Sequence, residues 1–380
     1  MRICMPEIFG RRGAGLGNEL FPWAKAFLAS QALGAKLAHP AWGLNQRHYH
    51  RDFGTSRFDW LQQGIVKLAM PTIHFDEQAY RATGKEDYQE AVTAFAAEHD
   101  LARSRHFVFN ASGMWGGFHA IRKARIFVLS ELLKARSAVQ NVHAVLGQVQ
   151  AGKALVAVHI RRGDFDNIDR DGQFRGRFNV ALPLEWYLAT CASIRRSCGD
   201  EVQFLLLTDA SPDQVRPVID ALDPLTTFHL RQTACSDLLL MAFADSIVCS
   251  VSSYSMWGAF LSNAPYIWCA PNLQDHQGYG SLWGHELAQQ APSGTTALNL
   301  EQVRNGNPCA IVFGPDAGRG VAVDFSGAVP SSFCEKLLGA LRERAIEKDL
   351  IFYGAVKLPL PREPSGGALA TTSLVTDWTS

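Results

Sequence analysis

Two consecutive arginines, Arg161 and Arg162, follow the apolar run ALVAVHI (154–160) and open the polar stretch RRGDFDNID (161–169). A guanidinium is a rigid fork of N–H donors that stays charged at any working pH and matches phosphate oxygens two at a time. Placed at the carboxyl end of a buried strand, such a pair is costly unless something anionic meets it. If the anion is a departing diphosphate, its charge grows as the bond breaks, and a fixed cation stabilises the transition state more than the ground state. Arg161 is the candidate for that role, and Arg162 the candidate for an ion pair that supports the loop. The plain alternative is a structural salt bridge from either arginine to Asp164.

Further residues suit the same chemistry. Gly15, Gly17 and Asn18 lie in a glycine turn between a strand and a helix, where bare backbone and free N–H groups can approach an anion. Ser252, Ser253 and Ser255 precede another helix and can hold phosphate oxygens or simply cap that helix. Asp237, when ionised, can accept from two donors at once, or it can merely begin its helix after Ser236. His159 sits at the strand end, within reach of a nucleotide or satisfied in the core. A base for an attacking hydroxyl is sought among Asp164, Asp166, Asp169 and Asp171. Asp164-Phe165-Asp166 also matches the DxD pattern that holds a divalent cation under a diphosphate, although two adjacent arginines repel such an ion. His48-Tyr49-His50 has no third metal ligand.

The elements that must position these groups follow from hydrophobic periodicity. Ile3 to Phe9 reads as a strand, Asn18 to about Gly34 as a helix, and 35–39 as a short strand. Apolar residues spaced three and four apart from Ile121 to Val149 predict one long helix. Beyond it, continuous apolar runs at 154–160, 202–208, 226–230, 246–250 and 266–270 alternate with helices, the pattern of a parallel sheet covered on both faces. On such sheets, ligands bind beyond the carboxyl ends of the strands, where the arginines and serines fall. A helix is expected at Ser331 to Lys348, and Pro359 to Ser380 is rich in turn residues.

A length of 380 residues implies more than one core. Lys plus Arg and Asp plus Glu both number 36, so no global field recruits nucleic acid. The sequence shows no signal-peptide pattern and no run long enough for a membrane span, which suggests a cytoplasmic protein and leaves room for peripheral membrane contact. The eight cysteines lack metal spacing and read as buried, reduced thiols.

Three segments carry a family resemblance. His159-Ile160-Arg161-Arg162-Gly163-Asp164 resembles the HxRRxD donor motif of the α1,2-, α1,6- and protein-O-fucosyltransferases. GAGLGNELFPWAKAFLA (13–29) is similar to the GGLGNQLFQYA opening of the α1,2 enzymes, and DLLLMAFADSIVCSVSSYSMWGAFL (237–261) to their LM…NSSFSWWGAYL segment. The resemblance implies an inverting GT-B fucosyltransferase of α/β fold, with two Rossmann-like domains facing a cleft. It implies GDP-fucose as donor, a glycan acceptor (a lipid-linked oligosaccharide is one candidate), and neither cofactor nor metal. On this reading residues 1–150 form the acceptor side, 151–300 hold GDP-fucose, and 301–380 extend the second domain with one helix. It also implies that Ser253 contacts phosphate, that Asp237 reads guanine, that Asn18 faces the fucose, and that Asp169 is a candidate base. The chain departs from the family at Phe165, Val251 and Met256, and keeps only Asp209 where the α1,2 enzymes show SDD. A catalytically silent glycan-binding relative is the competing expectation.

Overall fold

The computed structural model describes residues 1–8, 14–168, 174, 177, 179–231, 233–262, 264–275, 282–283, 296–298, 311–313, 319–346, 350–353 and 356–359. The chain divides into two units, Met1–Arg136 and Ser137–Ser380.

The first unit is built on a four-stranded parallel sheet of β1 (Arg2–Pro6), β2 (Lys36–Leu37), β3 (Thr72–His74) and β4 (Phe107–Ala111), in the order β2-β1-β4-β3. Helix α1 (Leu16–Leu33) is apolar almost all round, as a helix enclosed by a core must be. It stops at Gly34, whose φ of 55° provides the left-handed cap. The buried Lys25 of α1 donates to the carbonyls of Ser112 and Gly113 at 3.1 and 3.0 Å, and its amine lies over the Trp115 ring. Helices α2 (Asp59–Ala69), α3 (Tyr88–Glu98) and α4 (Arg125–Leu132) also belong to this unit.

The long helix expected from Ile121 to Val149 is two helices, α4 and α5 (Arg136–Leu146), with a turn between them. The stripe is continuous because it serves two cores in succession. Val128, Leu129 and Leu132 are buried in the first unit, and Ala138, Val142 and Val145 belong to the second. Asn141 of α5 is tied to the second unit by donating to the Arg231 carbonyl and to Ser236 Oγ, both at 2.9 Å.

The second unit holds β5 (Ala154–Ile160), α6 (Leu184–Cys198), β6 (Val202–Thr208), α7 (Arg216–Leu222), β7 (Leu225–Thr226), α8 (Ala234–Phe243), β8 (Ser246–Val248), α9 (Ser253–Leu261), β9 (Tyr266–Cys269), β10 (Gly320–Val323) and α10 (Ser331–Ile346). Its sheet is parallel throughout, in the order β10-β9-β8-β5-β6-β7. This is the doubly wound arrangement, and the winding reverses between β5 and β8. Every residue of β5 is buried, which its unbroken apolar run anticipates. The expected strand at 226–230 pairs only through Leu225 and Thr226; beyond them the chain turns, with Leu230 N–H bonded to the Thr227 carbonyl at 3.0 Å. Both units are therefore parallel α/β sheets of the expected Rossmann-like class. The seven cysteines among the described residues are buried and form no disulfide with one another.

Candidate functional site

The reversal between β5 and β8 opens the ends of the two strands onto one another, and most of the residues singled out in the sequence gather there. His159, near the end of β5, is buried, with Nδ1 2.6 Å from Ser255 Oγ and 3.1 Å from Ser250 Oγ. Burial, and then the positive charge of Arg161, push its pKa down to about 4, so the ring is neutral near pH 7. Ser255 Oγ also accepts from Ser250 N–H at 2.9 Å. Ser252 caps α9, its side chain accepting from Ser255 N–H. His159, Ser252 and Ser255 thus form a buried network across the switch point that shapes the turn. Ser253, the first residue of α9, stands half-buried at the N-terminus that this network fixes.

Arg161 leaves β5 with its side chain held between two carboxylates. Nη2 lies 2.6 Å from Asp164 Oδ1, and Nη1 lies 2.7 Å from Asp209 Oδ2. Asp209 follows β6, the strand next to β5, and its Oδ1 accepts from the Arg162 N–H at 2.8 Å. Among the described residues the ion pairs of this motif are those of Arg161, while Arg162 Nη1 donates to Asn167 Oδ1 at 3.2 Å. The Asp164 bridge anticipated as the plain alternative is present. The two acidic partners differ, however: the Asp164 side chain is 65% exposed, the Asp209 side chain only 28%. An exposed pair contributes about 0–1 kcal/mol, so Asp164 can be exchanged for another anion at little cost. Asp209, also bonded to backbone, is the anchor.

Gly163 belongs to the same construction. A Cβ at this position would fall 2.1 Å from Asp209 Oδ2, so the carboxylate occupies the space a side chain would need. Beyond it, the Phe165 ring centroid lies 5.3 Å from Arg161 Cζ.

Asp237 is in the first turn of α8 but does not cap it; Thr233 does, accepting from Ser236 N–H at 3.2 Å. The Tyr254 hydroxyl donates to the Ala234 carbonyl and ties this end of α8 to α9. Asp237 Oδ1 is fully buried and has no hydrogen-bond partner among the described residues. Burial, with the negative charge of Asp209 adding to it, pushes its carboxyl up to about 7. A buried acceptor left unpaired costs about 1–3 kcal/mol, a cost that the donors of a ligand would offset.

Gly15, Gly17 and Asn18 belong to the first unit and are described with it. Gly15 caps α1 in extended conformation, and its carbonyl accepts from Asn18 N–H at 2.9 Å. A Cβ at Gly15 would meet no described atom within 4 Å. Asn45 steadies this turn, donating to the Ala14 carbonyl at 3.1 Å and to buried Glu19 Oε1 at 3.0 Å. Asp169 and Asp171 lie outside the described residues, and Asp166 starts a two-residue pairing with Val180–Ala181. Among the described residues no three His, Cys, Asp or Glu side chains are grouped as metal ligands.

Sequence reasoning passed over Asp209 as a partner, Asn45 and Ser250. For Asp209 the signal was present, an acidic residue directly after a fully apolar strand; which neighbour it would meet depended on strand order.

The model of the family described as Glycosyl transferase family 11 matches residues 82–279, just over half of the chain. No curated protein sequence matches. Among solved structures, the fucosyltransferase NodZ from Bradyrhizobium is similar at 16% identity, covering 69% of this chain and 94% of that one, with a TM-score of 0.39. POFUT1, solved with GDP-fucose, is similar at 10% identity over 68% of this chain and 93% of that one, with a TM-score of 0.42. UDP-GlcNAc 2-epimerase from Neisseria meningitidis is similar at 9% identity over 68% of this chain and 60% of that one, with a TM-score of 0.28.

Proposed function

The chain belongs to glycosyl transferase family 11, and we propose that it transfers L-fucose from GDP-fucose to a glycan hydroxyl, with inversion and with α1,2 linkage. The observation that carries the donor assignment is the pairing of a clamped guanidinium with an orphaned carboxylate at one switch point. Arg161 is fixed by Asp209, and Asp237 Oδ1 is buried without a partner. The first suits a diphosphate and the second suits the N1 and N2 donors of guanine. Family 11 membership, and the two fucosyltransferases among the similar folds, agree with fucose as the sugar.

On this reading the diphosphate displaces Asp164 from Arg161, while Asp209 keeps the guanidinium oriented. The N-terminus of α9, with Ser253, takes the remaining phosphate oxygens. Negative charge then accumulates on an oxygen already facing a fixed cation, which lowers the barrier to cleavage of the fucosyl bond. The first unit, with the turn of Gly15, Gly17 and Asn18, supplies the acceptor side. Asp169 is the proposed base, and Asp164, once released, is the second candidate.

The reaction needs no metal on this account, because Arg161 supplies the charge a cation otherwise would. Activity with GDP-fucose is expected to survive EDTA; loss of activity that Mn²⁺ or Mg²⁺ restores would favour the DxD reading of Asp164 and Asp166. The direct test is a thermal-shift series with GDP, UDP and CMP, followed by labelled GDP-fucose on a glycan array and linkage analysis of the product. Selective stabilisation by GDP and fucosylated product support the reading. GDP binding with no transfer to any acceptor would favour the silent relative, and stabilisation by UDP alone would remove the donor assignment.

A further inference from the structure

Helix α2 (Asp59–Ala69) has no buried residue, although it is rich in apolar ones. Phe58, just before it, and Leu61, Ile65 and Leu68 recur at spacings of three, four and three, so they share one face. Their exposures are 60, 44, 66 and 91%. Two bonds on the other side hold this orientation. Gln63 Nε2 donates to the His39 carbonyl at 2.6 Å, and Lys67 Nζ donates to Asn110 Oδ1 at 3.0 Å. The helix is thus anchored by its polar edge with its apolar stripe outward, opposite to the usual arrangement of a surface helix.

Cations flank the stripe. Arg57 precedes Phe58, and its carbonyl is pressed against the backbone of Gly43, bringing the preceding loop against the start of α2. Arg51 and His48, both exposed, and Arg57 all act electrostatically on His50 and so lie close together. Asp59, the acidic residue in the first turn of α2, is half-buried. An outward apolar stripe bordered by arginines is the chemistry of a helix that lies in a bilayer interface, its apolar face among acyl chains and its cations among anionic headgroups. A second copy of the chain would set the same arginines against one another.

We propose that α2, with Phe58 and the Arg51–Arg57 cluster, is a peripheral docking surface for an anionic phospholipid bilayer. Occupied in this way, it would hold the first unit at a membrane surface and favour acceptors displayed there.

The test is co-sedimentation of the full chain with vesicles of phosphatidylcholine alone or with phosphatidylglycerol added. Binding is expected with the anionic vesicles, to be weak with the neutral ones, and to fall as salt screens the arginines. Ile65→Ser with Leu68→Ser should weaken it about tenfold or more. Arg51→Ala with Arg57→Ala should weaken it only on anionic vesicles. Both double variants should melt like the parent, because the side chains they change are exposed. Absence of binding to anionic vesicles would overturn the proposal, as would binding indifferent to these substitutions in folded protein. A parent that is dimeric in solution, and made monomeric by Ile65→Ser with Leu68→Ser, would assign the stripe to a second copy instead.

Discussion

Arg161 Nη1 lies 2.7 Å from Asp209 Oδ2, an ion pair that joins the ends of two neighbouring parallel strands. The same carboxylate receives the backbone N–H of Arg162. Asp209 therefore sets both the direction of the guanidinium and the path of the chain beneath it, as a positioning residue. Asp209→Asn keeps an oxygen for the backbone bond but removes the charge. It should lower kcat/KM for GDP-fucose by about tenfold to a hundredfold, equivalent to roughly 1.5–3 kcal/mol for a hydrogen bond to a charged group. Asp164→Asn, whose carboxylate pairs with Arg161 from an exposed position, should lie within about threefold of the parent. Initial rates of GDP release check both, and equal effects of the two substitutions would contradict the assignment of Asp209 as the anchor.

Gly163 should be intolerant for a reason outside its own backbone. An added methyl would collide with Asp209 Oδ2, so Gly163→Ala is expected to push the carboxylate off Arg161 and to reproduce much of the Asp209→Asn defect. Because both changes act on one contact, their effects should not add. A double-mutant cycle on kcat/KM checks this, and full additivity would mean that the two residues act separately.

Asp237 gives the site a pH dependence whose sign can be worked out. Its ordinary value of 3.8 is raised to about 7 in the fold, by burial first and by Asp209 second. Between those values the folded protein holds a proton that the unfolded chain has released, so stability falls as pH rises through this window. His159, lowered to about 4, acts in the opposite sense below pH 6.5 and adds nothing above it. The interval from pH 6.5 to 8 therefore isolates Asp237 from His159. There, Asp237→Asn should melt higher than the parent without ligand, by roughly 1–3 kcal/mol of relieved burial cost. Stabilisation of the parent by GDP should increase from pH 6 to 8, as a carboxylate becomes available to the guanine donors, and Asp237→Asn should lose the preference for GDP over UDP. Thermal melts at two pH values suffice, and a GDP response that is flat with pH and kept by Asp237→Asn would remove Asp237 from the base pocket.

What could be read from the sequence follows from which interactions are local. The apolar runs at 154–160 and 202–208 have only one place to go in an α/β protein, the middle of a covered parallel sheet, and they are β5 and β6 with the same limits. Arg161 and Ser253 could be placed at strand ends for the same reason. The roles of individual side chains were harder to read, since they depend on neighbours remote in sequence. Ser255 could have faced a phosphate, but strand order puts it under His159. Arg161 meets Asp209 because β6 lies beside β5. The stripe from 121 to 149 predicts one helix, because periodicity records which residues are buried and not whether one core or two do the burying. Strand β10, only four residues following a stretch with no clear period, carried no usable signal.

The central claim is that Arg161 meets the diphosphate, and calorimetry with GDP and with guanosine tests it most directly. In the parent, GDP should bind far more tightly than guanosine. Arg161→Ala should erase most of that difference while leaving guanosine affinity within about twofold, and Arg161→Lys should restore little, because a point charge does not replace a planar fork. If Arg161→Ala instead keeps the full advantage of GDP over guanosine, Arg161 serves only its bridges to Asp164 and Asp209, and the diphosphate is held elsewhere.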